Sequence, residues 1–80
     1  GGEQQVLSLH PALFSLLRTS PDGAEQIAAL HNVSDGTVRA SLRAIGGAGG
    51  WSDLLSGEEF RADGEIALAP YQVRWLKGSG

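Results

Sequence analysis

The stretch AEQIAALHNVSDGTVRASLRAIG, residues 24–46, decides how the fold is interpreted. Its small apolar residues recur at a spacing that suits two helices joined by a turn, the pattern of a bacterial helix-turn-helix. The same residues also suit two β-strands joined at the turn sequence Ser34-Asp35-Gly36. The first interpretation predicts a DNA-binding protein and the second an all-β domain, so the rest of the chain has to distinguish them.

The helix-turn-helix interpretation assigns a role to each part of this stretch. The first helix would contain Ile27 and Ala28, Asn32 would lie in the turn, and Ser34 would cap the second helix. The side chains facing the major groove would be those of Thr37, Arg39 and Ala40.

Charge and local conformation oppose DNA binding. Nine acidic residues against six basic ones give a formal net charge of −3, and the basic residues are spread along the chain. A DNA-binding surface instead needs clustered Lys and Arg side chains for the phosphates. Gly36 would also lie inside the recognition helix, where glycine costs about 1 kcal/mol relative to alanine. We therefore keep the helix-turn-helix as the alternative and expect no nucleic-acid partner.

Alternation of apolar and polar residues favours strands. Residues 37–43 alternate at every position, although Val38, Leu42 and Ile45 also fall on one face of a helix. Residues 25–32 suit either a helix or a strand. The sequence Ser20-Pro21-Asp22-Gly23 predicts a type I turn with a bulge, closing a hairpin between residues 13–19 and the segment after it. The run GGAGG at residues 46–50 predicts a flexible loop.

Further short strands are predicted on both sides of this stretch. Residues 4–9 form a first strand that ends before Pro11, and residues 13–19 form either a central strand covered on both faces or a short buried helix. Turns at Ser56-Gly57 and Asp63-Gly64, and an edge or bend at Pro70, separate three later strands at residues 51–55, 65–69 and 71–75. Short strands with turns about 8 to 12 residues apart predict an all-β antiparallel sandwich or barrel.

The composition allows one small domain. A chain of 80 residues buries roughly 60% of the surface that it exposes when unfolded. It contains no cysteine, which excludes disulfides and thiolate metal sites and suits a cytoplasmic protein. No apolar run reaches the roughly 20 residues that cross a bilayer, and we expect no membrane partner. Residues 4–76 are expected to form the domain, and residues 1–3 and 77–80 to be linkers or residues added for expression.

Two motifs near the end of the chain carry a resemblance to a known family. Residues 51–57 read WSDLLSG and residues 68–76 read LAPYQVRWL. They resemble the end of enzymes of the α-amylase superfamily (glycoside hydrolase family thirteen), most closely the sucrose-phosphorylase-like branch, in which a DLLSG turn and an L-x-PY-x-V-x-WL strand close a C-terminal β-domain. Residues 4–20 resemble the opening strands of that domain, and residues 27–42 its L-x-N-V-S strand, turn and next strand.

The resemblance implies a fold and a role. The fold would be a small antiparallel β-sandwich of the α-amylase C-terminal domain type, which follows a catalytic (β/α)₈ barrel and packs against it. The family's catalytic carboxylates lie at the ends of barrel strands, so the resemblance implies no catalytic residue, cofactor or metal in this chain. The chain would be a non-catalytic accessory domain of a glycoside hydrolase or phosphorylase, with the barrel as its partner and carbohydrate as a second candidate ligand.

The acidic and histidine side chains do not form an evident catalytic or metal-binding pattern. Glu58 and Glu59 are adjacent and cannot flank a sugar as two catalytic carboxylates must. His10 and His31 have no third ligand at metal spacing. The two glutamates are expected to lie in a solvated turn, and Asp53, Asp63 and Glu65 are expected to be solvated as well.

Two further features have competing interpretations. The pattern Asn32-Val33-Ser34 matches a glycosylation acceptor but is expected to be a turn. The large aromatics Trp51, Tyr71 and Trp75 are expected to fill the core or the face that the barrel covers, and a platform for stacking sugar rings is the alternative.

Overall fold

The computed structural model describes residues 3–46 and 49–79, which form an all-β fold. The strands are β1 (Glu3–His10), β2 (Leu13–Thr19), β3 (Gln26–Asn32), β4 (Val38–Ser41), β5 (Gly50–Asp53), β6 (Glu59–Arg61), β7 (Glu65–Leu68) and β8 (Val73–Ser79), with a 3₁₀ turn at Leu42–Ala44. Six strands form one antiparallel sheet in the order β1-β2-β3-β8-β5-β6, and β4 and β7 pair as a second sheet. The predicted all-β antiparallel fold class is confirmed.

The hydrophobic core lies between the two sheets. Strands β4 and β7 bury alternate residues and expose the others, as expected for a sheet with one covered face. The largest fully buried apolar side chain is that of Trp51 on β5. The rest of the core comes from both sheets and the 3₁₀ turn, and includes Leu13, Leu17, Ala28, Leu30, Val38, Ala40, Leu42, Ile45, Ile66, Leu68 and Leu76.

The predicted hairpin between β2 and β3 is confirmed. The N–H of Gly23 donates to the Ser20 carbonyl at 2.9 Å, and Gly23 has a φ of 72°, which glycine adopts without steric cost. Strand β2 is central, but it is covered on one face only: Ser15 is fully buried and Phe14 is half exposed. The expectation that both faces are covered was therefore wrong, because the second sheet covers only the face of β2 that carries Ser15.

Residues 24–46 contain two strands in different sheets. β3 pairs with β2 and β8, whereas β4 pairs only with β7 among the described strands. The helix-turn-helix alternative is not supported, since the only helical segment described in this stretch is the three-residue 3₁₀ turn. The strand predicted over residues 37–43 is shorter, because the chain turns after Ser41 and buries both Leu42 and Ile45.

The structure also differs from the sequence prediction in the bounds of several elements. Strand β1 includes Glu3, predicted as linker, the strand predicted over residues 51–55 ends at Asp53, and the one predicted over residues 71–75 begins at Val73. Of the predicted glycine loop, residues 47 and 48 lie outside the described residues, and Gly50 begins β5 instead of belonging to the loop. Strand β8 includes residues 77–79, which the sequence predicts as linker, and pairs them with β5. Gly78 lies opposite Trp51 in this pairing, so the core strand continues to the end of the described chain.

Candidate functional site

The side of the six-stranded sheet that faces away from the core is a candidate interaction surface, and we call it the outer face. It is formed by the alternate residues of β1, β2, β3, β8 and β5 that the core does not use. Cross-strand pairing aligns its side chains in three rows: Phe14-His31-Val73, Val6-Leu16-Ala29-Trp75 and Gln4-Arg18-Ile27-Lys77-Ser52.

The outer face is unusually apolar for an exposed surface. Four large side chains on it are substantially exposed: Val6 by 66%, Phe14 by 52%, Trp75 by 45% and Val73 by 39%. Leu54, which follows β5 and whose N–H donates to the Trp75 carbonyl, is exposed by 54% beside them. Single exposed apolar residues are common on proteins, but a contiguous set of this kind marks an interaction surface.

A groove crosses the outer face beside Trp75, and we call it the Trp75 groove. Ala29 is small and lies between the larger Leu16 and Trp75 in the same row, which leaves the floor of the groove low. The groove has a volume of about 360 Å³ and is lined by Gln4, Leu16, Arg18, Ile27, Ala29, Leu54 and Trp75. Its walls are therefore mainly hydrocarbon, with two polar side chains at one end.

The outer face carries positive charge on a negatively charged chain. Arg18 and Lys77 lie in the same row, one on each side of Ile27, and neither forms an ion pair with a described residue. The edge strand β6 extends this face with one acid, Glu59, and one base, Arg61. The net charge of −3 is thus carried mainly on other surfaces.

The two sequence motifs at the end of the chain meet in one polar cluster. Asp53, at the end of β5, accepts hydrogen bonds from the N–H groups of Leu55 at 2.8 Å and Ser56 at 3.1 Å. Its other oxygen lies 3.0 Å from Nη1 of Arg74, which also contacts Glu58 at 3.2 Å. The DLLSG turn and the PYQVRWL strand are therefore joined by an ion pair.

This cluster corrects the expectation that Asp53 is solvated. Its side chain is 4% exposed, and that of Arg74 is 13% exposed with the guanidinium 5.3 Å from the centre of the Phe60 ring. Burial acts to raise the pKa of Asp53, but the hydrogen bonds from Leu55, Ser56 and Arg74 outweigh it and hold the pKa below its ordinary value. The cluster is structural, because its carboxylates are already bound by the protein.

Asn32 joins the two sheets through its amide group. It is fully buried, and its Nδ2 donates to the carbonyls of Gly36 at 2.7 Å, Leu68 at 3.1 Å and Ala69 at 3.0 Å. Its Oδ1 accepts from both the backbone N–H and the hydroxyl of Ser34, at 2.9 and 2.8 Å. The pattern Asn32-Val33-Ser34 is therefore part of a turn whose asparagine is inaccessible in the folded protein.

The structure does not bring the three predicted aromatics together. Trp51 is 1% exposed and lies in the core, so it offers no surface to a sugar ring. Trp75 lies on the outer face, and Tyr71 lies in the turn before β8 with a φ of 59°, an uncommon value for a residue with a side chain. Of the three, Trp75 alone lines the groove.

The remaining candidate residues do not form a reactive site. Glu58 binds Arg74, whereas Glu59 lies on the outer face of β6. His10 accepts a hydrogen bond from the N–H of Ala12 through Nδ1. Within residues 3–46 and 49–79, no group of three or more His, Asp or Glu side chains is placed to hold a metal ion, and no helix is long and apolar enough to cross a membrane.

A face that the barrel covers was expected from the sequence, but the location of the outer face on this sheet was not. The signal of the outer face is visible in LFSLLRT at residues 13–19, where Phe14 and Leu16 make the second alternating set apolar as well. A second apolar set indicates that the other face of the strand is also buried, and the burying surface can belong to the same domain or to another one.

Comparison with known proteins supports the fold. No protein-family model matches the sequence, and no curated protein sequence does. Similar solved structures include AmyP in complex with maltose, with a TM-score of 0.80, 17% identity and coverage of 99% of this chain and 17% of that chain. A variant of AmyP in complex with maltotriose gives a TM-score of 0.76 and 20% identity, and covers 95% and 16% of the two chains.

A third similar structure belongs to a different enzyme. It is a variant of Abp, a GH27 β-L-arabinopyranosidase from Geobacillus stearothermophilus, in complex with arabinose; the TM-score is 0.68 and the identity 22%, with coverage of 100% of this chain and 20% of that chain. At such identities the likeness shows the fold alone. The chain thus has the fold of a small β-domain and spans between 16% and 20% of the solved chains it resembles.

Proposed function

We propose that this chain is a non-catalytic C-terminal accessory domain of a carbohydrate-active enzyme of the α-amylase superfamily, and that it stabilises the enzyme by packing on its catalytic (β/α)₈ barrel. The observation that carries this proposal is the apolar outer face, where Phe14, Trp75 and their neighbours are exposed on a sheet whose other side already holds the core. Burying the exposed half of such a side chain contributes about 1 kcal/mol, so a domain of the parent enzyme that covers several of them would stabilise both partners.

The similar structures support a carbohydrate-active parent. They are carbohydrate-bound enzymes or proteins in which this fold makes up 16% to 20% of the chain. The DLLSG and PYQVRWL motifs favour the sucrose-phosphorylase-like branch, and the Asp53–Arg74 ion pair gives a physical reason why the two motifs occur together. Fold alone does not assign a function, which is why the surface carries the proposal.

The positions of the acids support a non-catalytic role. Asp53 is held by the protein itself, and Glu58 and Glu59 point to different surroundings. Glycoside hydrolysis needs two carboxylates about 5 to 10 Å apart around a sugar-sized cleft. The catalytic carboxylates of the parent are therefore assigned to the barrel. The cysteine-free sequence suits a reducing compartment, so we propose the cytoplasm as its location.

The gene itself gives the first test. We expect the reading frame that contains this chain to encode a (β/α)₈ barrel upstream of it, with acidic residues at the carboxyl ends of the barrel strands. A reading frame that encodes no barrel would refute the proposal.

The full-length protein gives the second test. Phe14→Ser is expected to lower its thermal unfolding temperature while leaving kcat/KM at low temperature unchanged, because the side chain contacts the barrel and not the substrate. The matched control is Ser41→Ala on β4, an exposed residue of the second sheet that is expected to have no effect. Equal unfolding temperatures for Phe14→Ser and the wild type would contradict docking through the outer face.

Weak glycan binding is the second candidate function. The half-exposed indole of Trp75, with Gln4 and Arg18 nearby, is the observation that favours it. If the chain binds glycans, the NMR signal of the Trp75 indole N–H is expected to shift when maltose is added at millimolar concentration.

A further inference from the structure

We propose that the Trp75 groove holds one bulky apolar side chain of the catalytic domain, and that a carboxylate of that domain binds Arg18 beside it. This inference rests on the proposed function and names the contact through which docking is achieved. Interfaces owe most of their binding energy to a few buried anchors in pockets, so a single well-filled groove can determine how two domains are seated.

The lining of the groove favours an apolar side chain over a sugar as its occupant. Leu16, Ile27, Ala29 and Leu54 present hydrocarbon, and the indole of Trp75 forms one wall. A sugar has hydroxyl groups around its whole edge, and here most of them would lose water without gaining a hydrogen bond. An aromatic or long aliphatic side chain matches the lining, and the volume of about 360 Å³ is sufficient for one.

The basic side chains at the edge of the Trp75 groove favour an acidic residue next to the apolar side chain that fills it. Arg18 lines the groove at its polar end, and Lys77 lies in the same row on the far side of Ile27. Neither has an ion-pair partner among the described residues. A carboxylate next to the apolar anchor would satisfy Arg18 through paired N–H donors, which is the geometry that a guanidinium prefers.

The same charges argue against a second copy of this chain as the occupant. Two outer faces brought together would place Arg18 and Lys77 of one copy near those of the other, and like charges across an interface cost several kcal/mol. A tethered catalytic domain has the further advantage of high effective concentration, so a contact of modest area is enough. The longer chains of the similar structures provide such a tethered partner.

The experiment titrates the ¹⁵N-labelled chain with 4-phenylbutyrate, which joins an aromatic ring to a carboxylate. We expect millimolar binding that shifts the indole N–H of Trp75 and the amides of Ile27 and Ala29. The buried indole of Trp51 is an internal control and is expected not to shift. The neutral 4-phenylbutyramide is expected to bind about two- to fivefold more weakly, the range of an exposed ion pair.

Variants separate the two parts of the contact. Arg18→Gln is expected to abolish the difference between the acid and the amide, whereas Arg39→Gln, an exposed arginine on β4, is expected to retain it. Trp75→Ala is expected to abolish binding of both probes.

Three results would overturn the inference: no shift at Trp75 with either probe, equal binding of acid and amide to the wild type, or stronger shifts at Trp75 with maltose than with 4-phenylbutyrate. The last result would instead assign the groove to carbohydrate. All three concern the groove only, and the upstream reading frame tests the proposed function independently.

Discussion

Replacing Asn32 by alanine is expected to destabilise the fold by about 3 kcal/mol. The side chain makes three hydrogen bonds to carbonyls and accepts two from Ser34, all at 2.7–3.1 Å. Two N–H donors are shared among the three carbonyls and Oδ1 accepts two further bonds, which gives about four independent bonds; at roughly 0.5 to 1 kcal/mol each, their loss costs about 3 kcal/mol. The carbonyl of Leu68, whose bond to Asn32 is buried, would lose this partner. A domain of 80 residues has a total stability of about 4 to 12 kcal/mol, so the loss is a large fraction of it.

Urea unfolding followed by tryptophan fluorescence measures this loss. With a slope of about 1 kcal/mol per molar urea, the midpoint is expected to fall by about 3 M, and the unfolding temperature by about 15 °C. Asn32→Asp is a more specific test, because it keeps the shape of the side chain but directs an oxygen at the three carbonyls. It is expected to lower the free energy of unfolding at neutral pH by at least as much as Asn32→Ala. Ser34→Ala keeps all the amide donors and is expected to cost about 1 kcal/mol. A loss below 1 kcal/mol for Asn32→Ala, or a neutral Asn32→Asp, would refute the assigned role.

Three further predictions concern stability. The pKa of Asp53 is held below its ordinary value of 3.8, so its carboxylate stabilises the fold fully above pH 3.8 and loses this contribution as the pH falls through the lower pKa of the folded state. Asp53→Asn is therefore expected to reduce the fall in the urea midpoint on acidification. An acid dependence equal to that of the wild type would contradict this prediction. Gly57→Ala, at a φ of 79°, is expected to cost about 1 kcal/mol in urea unfolding, whereas Gly36→Ala, whose φ is not positive, is expected to stay within about 0.5 kcal/mol. Trp51→Ala is expected to cost about 3 to 5 kcal/mol and Trp75→Ala in the isolated chain less than about 1 kcal/mol, and comparable losses would contradict their different burial.

Much of the local structure could be predicted from the sequence, because it depends on neighbours along the chain. The Pro-Asp-Gly turn before β3 and the alternation in β4 each determine a backbone conformation within a few residues. The alternation in residues 37–43 did not predict where β4 ends, because the end depends on burying Leu42 and Ile45 under the sheet. Strand β6 had no signal of its own, since its three residues lie between two turns.

The arrangement of the strands could not be predicted, because it depends on contacts between distant residues. β3 pairs with β8 across more than forty residues, whereas β4, its neighbour in sequence, crosses to the other sheet. The Asp53–Arg74 ion pair and the reach of Asn32 to Leu68 arise only once this topology exists. For the same reason the Trp75 groove is invisible in the sequence: its lining comes from β1, β2, β3, β8 and the turn after β5.

The buried amide of Asn32 also affects how the protein can be produced. Oligosaccharide is transferred to asparagine in the pattern Asn-X-Ser while a chain is still unfolded, before burial can protect the site. A glycan on Asn32 would remove a donor N–H and would find no space between the sheets. We therefore expect a glycan on Asn32 to oppose folding in a eukaryotic secretory host, whereas a bacterial cytosol, or Ser34→Ala in a secretory host, avoids the modification.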